Sequence, residues 1–249
     1  MNMAYEYQVN INGIDVAASY SDESIKNIFL PLLRKLTAMQ AKAGRRILVY
    51  LAAPPGTGKS TLCSFLGHLA EETDGMAKFS IIGMDGFHRK QAYLQTHFAE
   101  VNGQKVKMVD IKGNPITFDV HKLEKKIREV AAGGTVKWPR YDRMLHDPVE
   151  DAMDVSGDIV LLEGNYLLLD LPEWNGLRQY ADYTVYIHAE LNDLRTRLVD
   201  RKAASGMTRE KAKAFVESSD LYNARICNEH SVGADMVLVM KPDGEYVMK

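Results

Sequence analysis

Short apolar runs alternate along this chain with stretches whose apolar residues recur every three or four positions. From residue 47 onward five runs read as buried strands: Ile47 to Ala52, Phe79 to Met84, Asp158 to Leu162, Thr184 to His188 and Met236 to Met240. Between them the helical period predicts helices at Lys59 to Glu72, Val120 to Ala131, Leu191 to Ala204 and Arg209 to Asn228. Strands apolar on both faces, separated by helices, imply a mainly parallel sheet covered on both sides. Upstream, Tyr5 to Tyr20 reads as two short strands around Asn12-Gly13, a dipeptide suited to the positive φ angles of a type I′ turn. Ser21 to Ala43 carries Ile25, Ile28, Phe29, Leu32, Leu33 and Leu36 at helical spacing, with Pro31 expected to bend or interrupt the helix. Asn102 to Thr117, containing Gly103, Gly113, Asn114 and Pro115, reads as an irregular insertion of the kind that covers active sites. No internal repeat or low-complexity tract is present.

Composition narrows the picture. The chain has 249 residues, 46% of them hydrophobic, which is ample for one large α/β domain or two small ones. Its 31 basic and 33 acidic side chains leave a formal net charge of −2, so no general affinity for nucleic acid or an anionic membrane is expected. Cys63 and Cys227 are too few for a disulfide framework or a zinc site, and Cys63 is expected in the core. No apolar run approaches 18 residues and Met1 to Asn10 is polar and mixed, so a soluble cytoplasmic protein is expected.

The chemistry begins directly after the first of these strands. Ala53-Pro54-Pro55-Gly56-Thr57-Gly58-Lys59-Ser60-Thr61 has the spacing of a P-loop, with Ala53 at the position of the first glycine. In such a loop, backbone N–H groups and a helix N-terminus face phosphate oxygens. Pro55, Gly56, Thr57, Gly58, Lys59, Ser60 and Thr61 would form the nucleotide cradle, with Lys59 on the β/γ-phosphates and Ser60 on Mg²⁺. A plain Gly/Pro turn between strand and helix would need neither the lysine nor the hydroxyl. The expected fold is therefore an α/β P-loop NTPase three-layer sandwich (45–249), with a mainly parallel sheet, helices on both faces and an N-terminal hairpin-plus-helix extension (1–44).

Ligands of open parallel sheets bind beyond the carboxyl ends of the strands. Two strands end there in an acid followed by glycine: Asp85-Gly86-Phe87-His88 and Glu163-Gly164-Asn165-Tyr166. Phosphoryl transfer to a hydroxyl needs one carboxylate to position and deprotonate the acceptor and another on the metal. Asp85 is assigned the first role and Glu163 the second, although either alone would also serve as a helix cap or surface acid. His88 stands between a substrate contact and a structural residue. Tyr141-Asp142-Arg143, in a turn-rich segment after Trp138-Pro139, would line an acceptor pocket or a solvated loop. On the helix from Leu191, Arg197 and Arg201 share a face that would close as a lid over the triphosphate, or lie in solvent paired with Asp193 or Asp200.

In this ordered set the chain resembles the P-loop kinase superfamily of uridine kinase, phosphoribulokinase and bacterial pantothenate kinase. It looks closest to the nucleoside/nucleotide-kinase-like branch labelled as fructose-transport kinases. The resemblance rests on Ala53 to Thr61, Met84 to His88, Lys112 to Asp119, Pro139 to Arg143, Glu163 to Leu169, and Arg197-Leu198 with Arg201 and Gly206, spanning roughly 47 to 206. It implies ATP and Mg²⁺ as cofactors, a base at Asp85, acceptor contacts around His88, Tyr141, Arg143 and Asn165, and a lid around 191–206 bearing Arg197 and Arg201. The expected partner is a small-molecule substrate, an alcohol of a sugar, nucleoside or pantothenate-like metabolite, with a homodimer left open. A nucleotide-switched regulatory NTPase without a small acceptor is the alternative. The guanine-binding Asn-Lys-x-Asp and the transporter Leu-Ser-Gly-Gly-Gln signatures do not occur.

Overall fold

The computed structural model describes residues 4–101 and 103–249, so the readings of Met1 to Asn10 and of the insertion starting at Asn102 fall partly outside it. Strands β1 (Ala4–Ile11) and β2 (Ile14–Ser21) pair antiparallel, with Ile11 opposite Ile14. Asn12 and Gly13 close the hairpin at φ 51° and 88°, as a two-residue turn matching the strand twist requires. Helix α1 follows without a break through Asp22–Ser24, Ile25–Phe29 and Leu30–Ala43. Its middle segment is a π turn in which the Leu30 N–H reaches back to the Ile25 carbonyl, immediately before Pro31, which has no N–H to donate. Pro31 is thus absorbed by a wider turn and does not interrupt the helix.

The body continues with β3 (Ile47–Ala52), α2 (Lys59–Glu71), β4 (Phe79–Gly83) and α3 (Gln91–Thr96). A short hairpin, β5 (Phe98–Val101) and β6 (Gln104–Lys107), then leads through two 3₁₀ turns, Met108–Ile111 and Pro115–Thr117, into α4 (Val120–Ala131). The expected irregular insertion is therefore partly regular. A second hairpin, β7 (Val136–Asp142) and β8 (Asp147–Val155), was hidden in the sequence because its register shifts between Trp138 and Arg140, around Pro139. A proline breaks the ladder there, and with it the alternation that would reveal a strand. The remainder comprises β9 (Ile159–Gly164), β10 (Tyr183–His188), α5 (Leu191–Ala204), a helix α6 running through Arg209–Phe215, Val216–Asp220 and Leu221–His230, β11 (Met236–Met240) and β12 (Tyr246–Met248).

The main sheet has the order β12-β11-β10-β3-β9-β4, parallel throughout except for the antiparallel β11–β12 edge. Alternate residues of β3 serve opposite layers. Ile47, Val49 and Leu51 join a core with α1, α2 and α5, whereas Leu48, Tyr50 and Ala52 join one with α4, Trp138 and Tyr166. The three-layer sandwich with helices on both faces is thereby confirmed. Phe29, Leu33 and Leu36 of α1 are fully part of the first core, and β1–β2 lies on α2, where Tyr20 stacks on Phe65 at 4.3 Å between centroids. Cys63 and Cys227 are buried free thiols. Among the described residues no helix is long and apolar enough to cross a membrane.

Candidate active site

β3 and α2 are joined by the loop Ala53 to Gly58, whose shape is held from outside. The Thr57 hydroxyl donates to the Pro54 carbonyl at 3.0 Å, the Tyr246 hydroxyl to the Thr57 carbonyl at 2.7 Å, and Arg197 Nε to the Gly56 carbonyl at 2.9 Å. With these carbonyls bound on the outer side, the loop's N–H groups are left for an anion on the other. Gly56 and Gly58 sit at φ 91° and 80°, which residues with a Cβ adopt only under strain.

Ser60, in the first turn of α2, donates its hydroxyl hydrogen to Glu163 Oε1 at 2.8 Å. Glu163 ends β9 beside the parallel strands β3 and β4 and is 8% exposed. Burial raises its carboxyl above the ordinary range, and Asp85 adds to the shift, while Lys59, the Ser60 hydrogen bond and Arg143 oppose it. One carboxylate and one hydroxyl beside a phosphate cradle is a donor set that suits Mg²⁺, which binds through one or two carboxylates plus substrate phosphates.

Asp85 lies on the 3₁₀ turn Met84–Phe87 beyond β4. Its turn can sit as it does because Gly86 has no side chain: a Cβ there would meet the Pro139 carbonyl oxygen at 2.3 Å. The Trp138 indole N–H donates to the Gly83 carbonyl at 2.9 Å, which fastens β7 across the same turn. His88 Nδ1 lies 2.8 Å from the Asp85 carbonyl oxygen. A carbonyl only accepts, so Nδ1 carries the proton. Desolvation lowers the His88 pKa, partly opposed by Asp85, which leaves Nε2 as a lone-pair acceptor.

Pro55, Lys59, Ser60, Asp85, His88, Tyr141, Arg143, Asn165 and Arg201 line one cleft of ≈ 610 Å³, with Glu163 immediately behind Ser60. Asn165 Oδ1 is buried there without a hydrogen-bond partner among the described residues. Tyr141 and Asp142 belong to β7 rather than to a turn-rich loop; Asp142 caps the hairpin by accepting from the N–H groups of Met144 and Leu145. Arg197 and Arg201 are divided. Arg201 reaches the cleft, while Arg197, one helical turn earlier, supports the P-loop and borders a neighbouring cavity with Gly58, Thr61 and Gly244. Asp193 and Asp200 do not pair with either: Asp200 pairs with Arg209, and Arg195 with Glu217.

Five polar residues of this cleft were given no role from the sequence: Gln91, Lys112, His146, Asp220 and Asn223. Lys112 was visible only as part of the Lys112 to Asp119 stretch. That stretch is tied to the Asp85 turn through Arg89 N–H to the Thr117 carbonyl (2.9 Å) and Asp119 N–H to the Phe87 carbonyl (2.8 Å). The Tyr166 hydroxyl holds it from the other side, donating to the Gly113 carbonyl at 2.6 Å.

A phosphate cradle, two strand-end acids and a cationic cleft at the carboxyl edge of a parallel sheet are the architecture of a P-loop kinase. The family model for the phosphoribulokinase/uridine kinase family matches residues 48–242, and the chain belongs to that family. It is 40% identical over 240 residues to YggC of Escherichia coli K12, covering 96% of this chain and 97% of that one, a protein whose name carries no activity. It is 26% identical over 219 residues to a pantothenate kinase of Corynebacterium aurimucosum, covering 79% and 68%. A solved structure from Silicibacter sp. TM1040, named as a fructose transport system kinase, superposes with TM-score 0.69 at 28% identity, covering 81% of this chain and 98% of that one. YFH7 of Saccharomyces cerevisiae gives TM-score 0.70 at 17% identity over 85% and 98%, a likeness of fold.

Proposed function

We propose that this protein transfers the γ-phosphoryl group of ATP to an alcohol hydroxyl of a small metabolite, a sugar, nucleoside or pantothenate-like compound. The observation that carries the reading is the 2.8 Å hydrogen bond from Ser60 to buried Glu163, beneath the cleft that Lys59 and Asp85 share. The loop N–H groups and Lys59 bind the phosphates, and Ser60 with Glu163 would hold Mg²⁺. When bound, the ion would neutralise charge on the phosphates. Asp85 accepts the proton of the attacking hydroxyl, while His88 Nε2 and Asn165 Oδ1, as hydrogen-bond acceptors, orient the acceptor through its other hydroxyl or N–H donors. Arg201, on the lid helix, stabilises charge on the transferring group. Dependence on ATP and two free thiols suit the cytoplasm.

The test is ADP release by the purified protein across sugars, nucleosides, pantothenate and their monophosphates. One compound should stimulate release, and Asp85→Asn should lower that rate about 10²-fold or more. Lys59→Ala should impair the same step. Slow hydrolysis that no compound stimulates would favour a nucleotide switch instead.

A further inference from the structure

The acceptor half of the cleft carries more positive charge than phosphoryl transfer to a neutral alcohol requires. Lys59 and Arg201 are accounted for by the triphosphate, and Lys202 is paired with Asp220 at 3.3 Å. Lys112 and Arg143 remain. Among the described residues neither forms an ion pair, and Arg143 makes no hydrogen bond either. Lys112 is not a free surface lysine. Two of its three donors are directed at neutral acceptors, Gln91 Oε1 and the His146 carbonyl, each at 2.7 Å, which aims the ammonium and leaves its third N–H unused. Asp147, the acid whose charge acts on it, forms no ion pair with it and accepts from the Gln91 N–H at 2.6 Å. Partial burial lowers the Lys112 pKa, so a bound anion would recover a cost that water no longer offsets.

The aromatic groups of the same wall are already occupied. The His88 ring lies 4.0 Å from Phe118 and 5.0 Å from Tyr141, and Lys112 sits over the Tyr141 ring at 5.1 Å. A nucleobase would find few open faces on which to stack, whereas a compact anion would find two unpaired cations.

From this arrangement we infer that the acceptor is a small hydroxylated anion, whose carboxylate or phosphate is bound by Lys112 and Arg143 while its hydroxyl meets Asp85. The inference rests on the proposed kinase reading and names its substrate class. A carboxylate and a phosphate monoester share the charge and the oxygen acceptors that an ammonium and a guanidinium recognise.

The test uses matched compounds and two readouts. ADP release is measured with glycerol, glycerate and glycerol 3-phosphate, with ribose, ribonate and ribose 5-phosphate, and with uridine; comparison within each set separates carboxylate from phosphate. Binding of the same compounds is measured by calorimetry with Mg²⁺ and a non-hydrolysable ATP analogue filling the donor site. The expected result is that one anion exceeds its neutral partner by roughly tenfold or more, and that Lys112→Met weakens it by roughly tenfold to a hundredfold without weakening the analogue. Because Lys112 also bridges Gln91 and His146, Arg143→Gln in the exposed hairpin turn provides a second variant that should act in the same direction. Neutral compounds used as well as anions, or anions whose binding neither variant weakens, would overturn the inference. Anion binding that depends on Lys112 without any ADP release would remove the kinase reading and with it the anion's role as phosphoryl acceptor.

Discussion

At the scale of single residues, legibility followed position in a strand. Glu163 was visible because an acid terminating Ile159-Val160-Leu161-Leu162 has few places to go except the sheet's carboxyl edge, and there it receives the Ser60 hydroxyl. Lys112 was not assigned a role, because a lysine amid Gly113, Asn114 and Pro115 looks like any solvated loop cation. What aims it are Gln91 and the carbonyl of His146, 34 residues away. The raised Glu163 carboxyl has a consequence for stability. The folded protein holds that proton to higher pH than the unfolded chain does, so stability is fullest below the unfolded carboxylate pKa and declines as pH rises through the folded one. Denaturant unfolding without magnesium, measured from pH 4 to 8, should therefore show wild type losing stability relative to Glu163→Gln as pH rises. Parallel curves for the two proteins would contradict the assignment.

At the scale of elements, both ends of the P-loop were read correctly, but the bonds that hold its outer side were not. Helix α5 carries Arg197 to the Gly56 carbonyl, and the late strand β12 carries Tyr246 to that of Thr57. Arg197→Ala should raise the KM for ATP by about tenfold, the loss of one charge-assisted hydrogen bond near a phosphate cradle. A change confined to the acceptor KM would place Arg197 elsewhere. The Asp85 turn depends on β7 in a different way. Gly86→Ala forces a Cβ against the Pro139 backbone and should cost about 1–3 kcal/mol while displacing Asp85, seen as a lower Tm together with reduced kcat. β7 itself escaped the sequence reading because Pro139 shifts its register, and no local period survives such a bulge.

At the scale of the whole molecule, residues 4–44 are wound into the body. Phe29, Leu33 and Leu36 share a core with β3 and α2, Tyr20 stacks on Phe65, and Glu245 near the C-terminal strand accepts from both Ser21 and Ser24 at the start of α1. Phe65→Ala should cost about 3–5 kcal/mol by opening a cavity between hairpin, α1 and α2. A chain lacking residues 1–44 should lose its cooperative unfolding transition, and a sharp transition in calorimetry would show that the rest folds alone. The sequence by itself determined the N-terminal hairpin and helix, the five parallel strands with the main helices between them, the phosphate cradle and the two strand-end acids, because periodicity, turn chemistry and motif spacing are properties of neighbouring residues. Only the tertiary structure decided that Arg197 and Arg201 serve different sides of the loop, that the N-terminal helix completes the core, and that Lys112 and Arg143 face the acceptor side without an ion-pair partner among the described residues. Those outcomes depend on which distant groups share a surface, and neutralisation and packing between distant groups leave no trace in local pattern.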